Sequence, residues 1–233
     1  IEERLEGPEV SVMAFCDGEN IAVMPPARDH KRALDNDKGL NTGGMGAFSP
    51  VPDVSAEQID EIAHTVIQPI VDGMKARGIP YKGVLYAGLM LTESGPRTLE
   101  YNCRFGDPET QVILPRLQTD LARILLACID GTLDQLGLKW ADDACATVVL
   151  TSPGYPESYP KGLLISGLDH VNEALVFHAG TAHKDGQTVT SGGRVIAVSA
   201  LGASMDNALE SAYRELQHIH FDGVHYRTDI GRT

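Results

Sequence analysis

No apolar run among these 233 residues approaches the roughly 20 needed to span a bilayer, so no membrane-spanning helix is expected within them. Nor is there a basic run to offset the formal net charge of -13, which argues against a nucleic-acid backbone as partner. Ile1-Glu2-Glu3-Arg4 is no signal peptide, and the cytoplasm is the expected compartment. Cys16, Cys103, Cys128 and Cys145 are spread without a C-x-x-C pair, which gives neither a zinc signature nor a disulfide framework. Reduced, mostly buried thiols are expected. No Ser-His-Asp order or nucleophile elbow is evident. The chain also lacks an initiator Met and opens on a charged, mid-element segment, so an upstream part is expected.

What is present reads as an ordinary globular protein. With 42% hydrophobic and 22% charged residues, the chain can bury a real core as one large domain or two small ones. The most informative stretch is Leu99-Glu100-Tyr101-Asn102-Cys103-Arg104-Phe105-Gly106-Asp107-Pro108-Glu109. On a strand Glu100 and Asn102 face the same side, giving a carboxylate and a neutral oxygen to a hard divalent cation, and Arg104 continues that face. A solvated strand edge is the alternative.

The flanking pattern places this motif. Val10 to Cys16 and Asn20 to Met24 read as a hairpin through Asp17-Gly18. Residues 25–53 show little periodicity and much Gly, Pro, Asn and Asp, a length uncommon for a connection that binds nothing. Ser55-Ala56-Glu57-Gln58 forms a capping box, and the apolar stripe from Ile59 to Met74 predicts a helix ending at Gly78. Tyr81 to Thr92 and Arg97 to Cys103 read as antiparallel strands, the second presenting Glu100 and Asn102. Thr119-Asp120 caps a helix that stops at Gly131. A boundary is placed near residue 141. Beyond it, strands at 144–151, 175–181 and 189–200, a Lys184-Asp185-Gly186 turn and a helix near 204–219 suggest a small α+β unit.

Further segments bear on chemistry. Glu2 to Leu5 could present backbone groups to an adenine edge, with Glu9 reaching ribose hydroxyls. Asn41-Thr42-Gly43-Gly44-Met45-Gly46 lets the backbone approach a ligand and point N–H groups at an anion; a flexible turn is the alternative. Just before it, Arg28-Asp29-His30-Lys31-Arg32 gathers cations that suit an anionic substrate, or a solvated loop. His30 could serve as a general base or lie at the surface. Gly192-Gly193-Arg194 offers an anion contact or a tight turn.

In order along the chain, E-E-R-L-E-G-P-E-V-S, M-P-P-A-R-D-H-K-R, N-T-G-G-M-G-A, L-E-Y-N-C-R-F-G-D-P-E-T-Q, H-A-G-T-A, S-G-G-R-V and H-Y-R-T-D-I-G resemble the phosphoribosylamine-glycine ligase family of the ATP-grasp superfamily. The resemblance implies an α+β fold: the C-terminal portion of an ATP-grasp domain at 1–141 and a small C-terminal α+β domain at 142–233. It implies ATP-dependent joining of glycine to 5-phosphoribosylamine through glycyl phosphate, a step of purine biosynthesis. Glu100 and Asn102 are then the Mg²⁺ or Mn²⁺ ligands, and Arg104 holds the acyl phosphate. Glu2, Leu5 and Glu9 match the adenine and ribose segment. Asp29, His30, Lys31, Asn41, Thr42, Gly43, Gly44, Met45 and Gly46 form a substrate wall, with Arg194 at the ribose phosphate. Many ATP-grasp ligases carry an acidic metal ligand thirteen positions before this Glu, where Ala87 stands here. Family members also carry an N-terminal part absent from this chain, so little activity is expected of it alone. A non-catalytic nucleotide-binding or assembly module of the same fold is the alternative.

Overall fold

The computed structural model describes residues 3–232. The chain forms two compact units, the first from Ile1–Arg28, Pro50–Gly106 and Leu117–Ala141, the second from Asp29–Ser49, Asp107–Arg116 and Asp142–Thr233. These units are spatial; 1–141 and 142–233 remain our proposed division of the sequence into domains.

The first unit is built on a four-stranded antiparallel sheet, in the order Ile21–Val23, Glu9–Asp17, Lys82–Thr92 and Gly95–Asn102. Register aligns Ser11 with Gly88 and Gly88 with Glu100; two residues further, Met13, Tyr86 and Asn102 line up. Side chains alternate between faces. Val12, Ala87 and Tyr101 therefore occupy the opposite face, where the Tyr101 hydroxyl donates to the Val66 carbonyl at 3.0 Å. A β-bulge at Leu99 sets which face the motif takes, because Leu89 pairs with Thr98 while Gly88 pairs with Glu100. In an unbulged strand Thr98 and Glu100 would share a face.

Ser55 caps the helix Ala56–Ile62 with both bonds of a capping box, in line with the sequence. The run is not uniformly α-helical: Ala63–Ile67 is a π turn before Gln68–Ala76. Pro69 explains the change, since it has no N–H for the Thr65 carbonyl and its ring crowds that group. Asp120 and Gly131 (φ 73°) bound the helix Leu121–Asp130, which packs on Glu9–Asp17 and Lys82–Thr92.

The second unit holds a five-stranded sheet. Leu175–His178, Arg194–Gly202, Ala144–Thr151 and Gly46–Ser49 are followed by the edge strand Arg28–Asp29, where the chain passes between units. The helix Met205–Leu216, capped by Ser204, packs on its two central strands. Two expectations are corrected. Residues 25–53 are not structureless, since Arg32–Leu34 and Lys38–Asn41 pair as a hairpin and Gly46–Ser49 joins the sheet. The strands expected at 175–181 and 189–200 each break in two, giving a separate hairpin Thr181–Lys184 and Gln187–Thr190. The break falls where Gly180 and Gly192 meet backbone to backbone; a Cβ on Gly180 would lie 2.6 Å from the Gly192 Cα. Cys16, Cys128 and Cys145 are buried free thiols, and Cys103 is exposed.

Candidate functional site

In the first unit the sheet brings Glu9, Ser11, Gly88, Glu100 and Asn102 to one face. Glu100 and Asn102 stand side by side, with 3.0 Å between Asn102 Nδ2 and Glu100 Oε1. Arg104 continues the row: one guanidinium nitrogen is 3.5 Å from Asn102 Oδ1 and another donates to the Phe105 carbonyl at 2.9 Å. Beneath the row, the buried hydroxyls of Ser11 and Tyr86 share a 2.8 Å hydrogen bond. Ala87 belongs to the other face, opposite Tyr101 and fully buried. The residue facing Glu100 is Gly88, so an acidic ligand at position 87 would not have met Glu100.

The carboxylate and carboxamide suit a hard cation that takes its remaining ligands from phosphate and water, because the two side chains are adjacent and solvent-accessible; here Asn102 turns its Nδ2 to Glu100 and its Oδ1 toward Arg104. Among the described residues no group of three His, Cys, Asp or Glu side chains could hold a metal by itself.

The segment expected to meet adenine and ribose lies beside the same sheet. Glu2 falls outside the described residues. Leu5, with Glu3, Glu6, Thr92, Ser94 and Arg97, lines an open hollow of about 480 Å³. Arg97 pairs with Glu3 at 3.1 Å. Gly7 adopts φ 149° and its Cα passes so close to the strand that a Cβ would collide with the Leu91 carbonyl. Glu9 begins its strand half-buried, its carbonyl accepting from Arg28 Nε at 2.7 Å.

The second unit gathers the expected substrate loop and Arg194. The Arg194 guanidinium lies against Gly43, donating to the Gly43 carbonyl at 2.6 Å and the Asp107 carbonyl at 3.0 Å, and it pairs with the Asp107 carboxylate at 3.2 Å. The turn differs from the anion nest expected of it. Thr42 N–H donates to the Lys31 carbonyl, Gly43 N–H to the Tyr155 hydroxyl, Gly44 N–H to Thr42 Oγ1 and Met45 N–H to the His30 carbonyl. With those amides engaged, the glycines serve close packing instead. Gly44 adopts φ 111°, where a Cβ would lie 2.4 Å from Pro108 Cδ. Gly44, Met45 and Gly46 are buried, whereas Asn41 and Gly43 are exposed and Thr42 half-buried.

The cations before the turn are also held internally. Arg28 grips Asp53 with two bonds of 2.8 Å, Lys31 pairs with Asp29 at 2.7 Å, and Arg32 donates to the Gly39 carbonyl at 2.8 Å. His30 is not a surface group: it is 4% exposed and its Nε2 accepts the Gly231 N–H at 3.0 Å. Burial, then the charge of Arg227, push its pKa below the usual 6.5, which keeps the imidazole neutral. In this arrangement the Nε2 lone pair is taken up by the Gly231 N–H.

Sequence reasoning passed over Tyr86, Gly88, Asp107 and Tyr155, and gave no role to Arg227 and Asp229 beyond their place in the H-Y-R-T-D-I-G match. For the last pair a signal existed, an Arg and an Asp two residues apart near the end of the chain.

Residues 1–110 match the family described as phosphoribosylglycinamide synthetase, ATP-grasp (A) domain, and residues 145–233 match phosphoribosylglycinamide synthetase, C domain. The chain belongs to the phosphoribosylamine–glycine ligase family. It is 51% identical over 230 residues to phosphoribosylamine–glycine ligase of Caldanaerobacter subterraneus, covering 99% of this chain and 55% of that protein. It is 54% identical over 234 residues to the trifunctional purine biosynthetic protein adenosine-3 of Gallus gallus, covering 23% of that longer protein. A solved phosphoribosylamine–glycine ligase from Thermotoga maritima superposes with a TM-score of 0.88 at 38% identity, over 99% of this chain and 57% of that one. The chain thus spans about half the length of the ligases it matches. No helix among the described residues is long and apolar enough to cross a membrane.

Proposed function

We propose that this chain supplies the metal-binding jaw and C-terminal domain of a cytoplasmic ATP-dependent ligase that joins glycine to 5-phosphoribosylamine. The observation that carries the reading is the adjacent, accessible row Glu100, Asn102 and Arg104 in a chain about half identical to such ligases.

In this reading Glu100 and Asn102 would hold Mg²⁺ or Mn²⁺, which when bound supplies positive charge at the nucleotide phosphates. Leu5 and Glu9, with Glu2, serve adenine and ribose. Arg104 orients the glycine carboxylate, whose oxygen attacks the γ-phosphorus as ADP leaves. The amine nitrogen of phosphoribosylamine then attacks the carbonyl carbon of glycyl phosphate; phosphate leaves with the C–O bond electrons, the amine loses a proton, and glycinamide ribonucleotide results. Arg104 steadies the charge that develops on the transferred group. Asn41, Thr42 and Gly43 with Lys31 face the substrate, while Asp29, His30, Gly44, Met45, Gly46 and Arg194 shape that wall from behind. The relatives are nearly twice as long, so turnover is expected of the chain joined to the rest of such a protein, not of the 233 residues alone.

The test is ADP release by that joined protein, with each substrate omitted in turn, for wild type and Glu100→Gln. Dependence on both glycine and phosphoribosylamine is expected, with a loss on the order of 100-fold in the variant and a raised Mg²⁺ requirement. MgATP binding without ADP release in the complete mixture would instead favour a non-catalytic nucleotide-binding module. An unchanged Mg²⁺ requirement in Glu100→Gln sinks the metal assignment.

A further inference from the structure

Arg227 has a fully buried side chain, and its bonds run to Asp229 and to one short stretch of the loop. Nε and Nη2 grip the Asp229 carboxylate at 2.7 Å each, while Nη1 donates to Asp37 Oδ1 at 2.7 Å and to the Arg32 carbonyl at 3.1 Å. Asp229 in turn accepts the Asn36 N–H at 2.7 Å, and Asp35 accepts the Thr228 N–H at 2.8 Å. His225 Nε2 lies 2.9 Å from the Ala33 carbonyl. Every one of these contacts between the C-terminal segment and the loop falls within residues 32–37.

That stretch is unfavourable by itself. Asn36 and Asp37 take φ of 57° and 51°, two successive non-glycine residues in the left-handed region, which persist only where surroundings over-determine them. The turn closes the hairpin Arg32–Leu34 and Lys38–Asn41, whose second strand runs directly into Thr42 and Gly43.

We infer that Arg227 is a positioning residue: with Asp229 it holds the 35–37 turn in its left-handed form and thereby places Asn41 to Gly43 for the substrate. The functional half rests on the proposed reading of residues 29–46 as the substrate wall. A bidentate guanidinium suits the task, because its rigid fork grips one carboxylate while reaching a second and a carbonyl.

Two measurements test this. In hydrogen–deuterium exchange on the chain, Arg227→Met is expected to raise exchange about tenfold at 34–43 while Ala144–Thr151 and Arg194–Gly202 keep wild-type protection. In the joined ligase the KM for phosphoribosylamine is expected to rise about tenfold, with kcat and the KM for ATP within about twofold. Adding Asn36→Gly and Asp37→Gly, which occupy the left-handed region without strain, should recover part of both losses. Wild-type exchange at 34–43 overturns the inference, and so does a uniform loss of protection that the glycines leave uncorrected. Should Arg227→Met fail to fold, Asp229→Asn, which keeps the shape of the residue but weakens the two-bonded grip on Arg227, is read by the same criteria. Altered exchange with an unaltered KM supports the tether and overturns the substrate-wall reading.

Discussion

Glu100 faces Gly88 across the strands Lys82–Thr92 and Gly95–Asn102, and a Cβ on Gly88 would lie 3.3 Å from the Glu100 Cγ. The absence of a side chain at residue 88 therefore leaves the Glu100 side chain room on that face.

Gly88→Val should crowd Glu100 and the Tyr86 ring without changing the charge of the site. The Mg²⁺ concentration for half-maximal activity in the joined ligase is expected to rise about tenfold, with a smaller fall in saturated rate. Magnesium titrations of both proteins decide it; an unchanged requirement would mean that Glu100 does not need that space.

Gly44 and Gly43 should respond differently to alanine. At Gly44 the backbone has φ 111° and the Cβ would meet the rigid Pro108 ring at 2.4 Å, so a loss of roughly 2–4 kcal/mol is expected. At Gly43 the nearest atom is Arg194 Cζ at 3.0 Å, on a flexible side chain, and the loss should be smaller. Urea midpoints at constant m-value order the two variants, and equal losses would contradict the packing described here.

Asp229 makes stability depend on acid. Burial alone would raise its carboxyl, but hydrogen bonds from Arg227 and the Asn36 N–H, with the Arg227 charge, outweigh it and hold the pKa at about 2 against 3.8 ordinarily. The unfolded chain binds more protons in that interval, so this stabilisation is full above about pH 4 and is lost as pH falls toward 2. It amounts to roughly 2 kcal/mol, and the depressed His30 pKa acts with the same sign below its ordinary 6.5. Asp229→Asn should be less stable at neutral pH and show a flatter acid limb in denaturant titrations run from pH 6 to 2.5.

Arg194→Lys separates two roles. If the guanidinium acts as a fork, with Nη1 on the Gly43 and Asp107 carbonyls and Nη2 on the Asp107 carboxylate, lysine, a point charge, should be nearly as damaging as methionine, each raising the KM for phosphoribosylamine about tenfold. If Arg194 only supplies charge to a phosphate, lysine should retain most of the affinity. Initial-rate kinetics on both variants distinguish the two.

The local features were legible because local chemistry makes them. The Ser55 capping box, the Asp120 cap and the Gly131 stop need only neighbouring residues to satisfy helix ends, and each stands where the spacing places it. The common face of Glu100 and Asn102 follows from strand alternation alone. The loop before residue 54 was not legible in the same way. Its strands are only two to four residues long, and Gly46–Ser49 takes its register from a partner far along the chain, with Ala47 opposite Thr147.

The order of residue types by itself determined the helices, the hairpin turns, the two oxygens and the cation of the Glu100 motif, and membership of a ligase family. Tertiary structure decided what long-range pairing and burial control. The bulge at Leu99 chose the face for Glu100, and Gly88 rather than Ala87 was set opposite it. Burial turned His30 from a titrating surface group into a neutral acceptor, and the glycine turn's amides found partners within the protein instead of an anion. The physical reason is common to all of these: alternation and capping act over a few residues, whereas the partner of a buried polar group is whatever the fold carries to it, here across as many as 201 positions from His30 to Gly231.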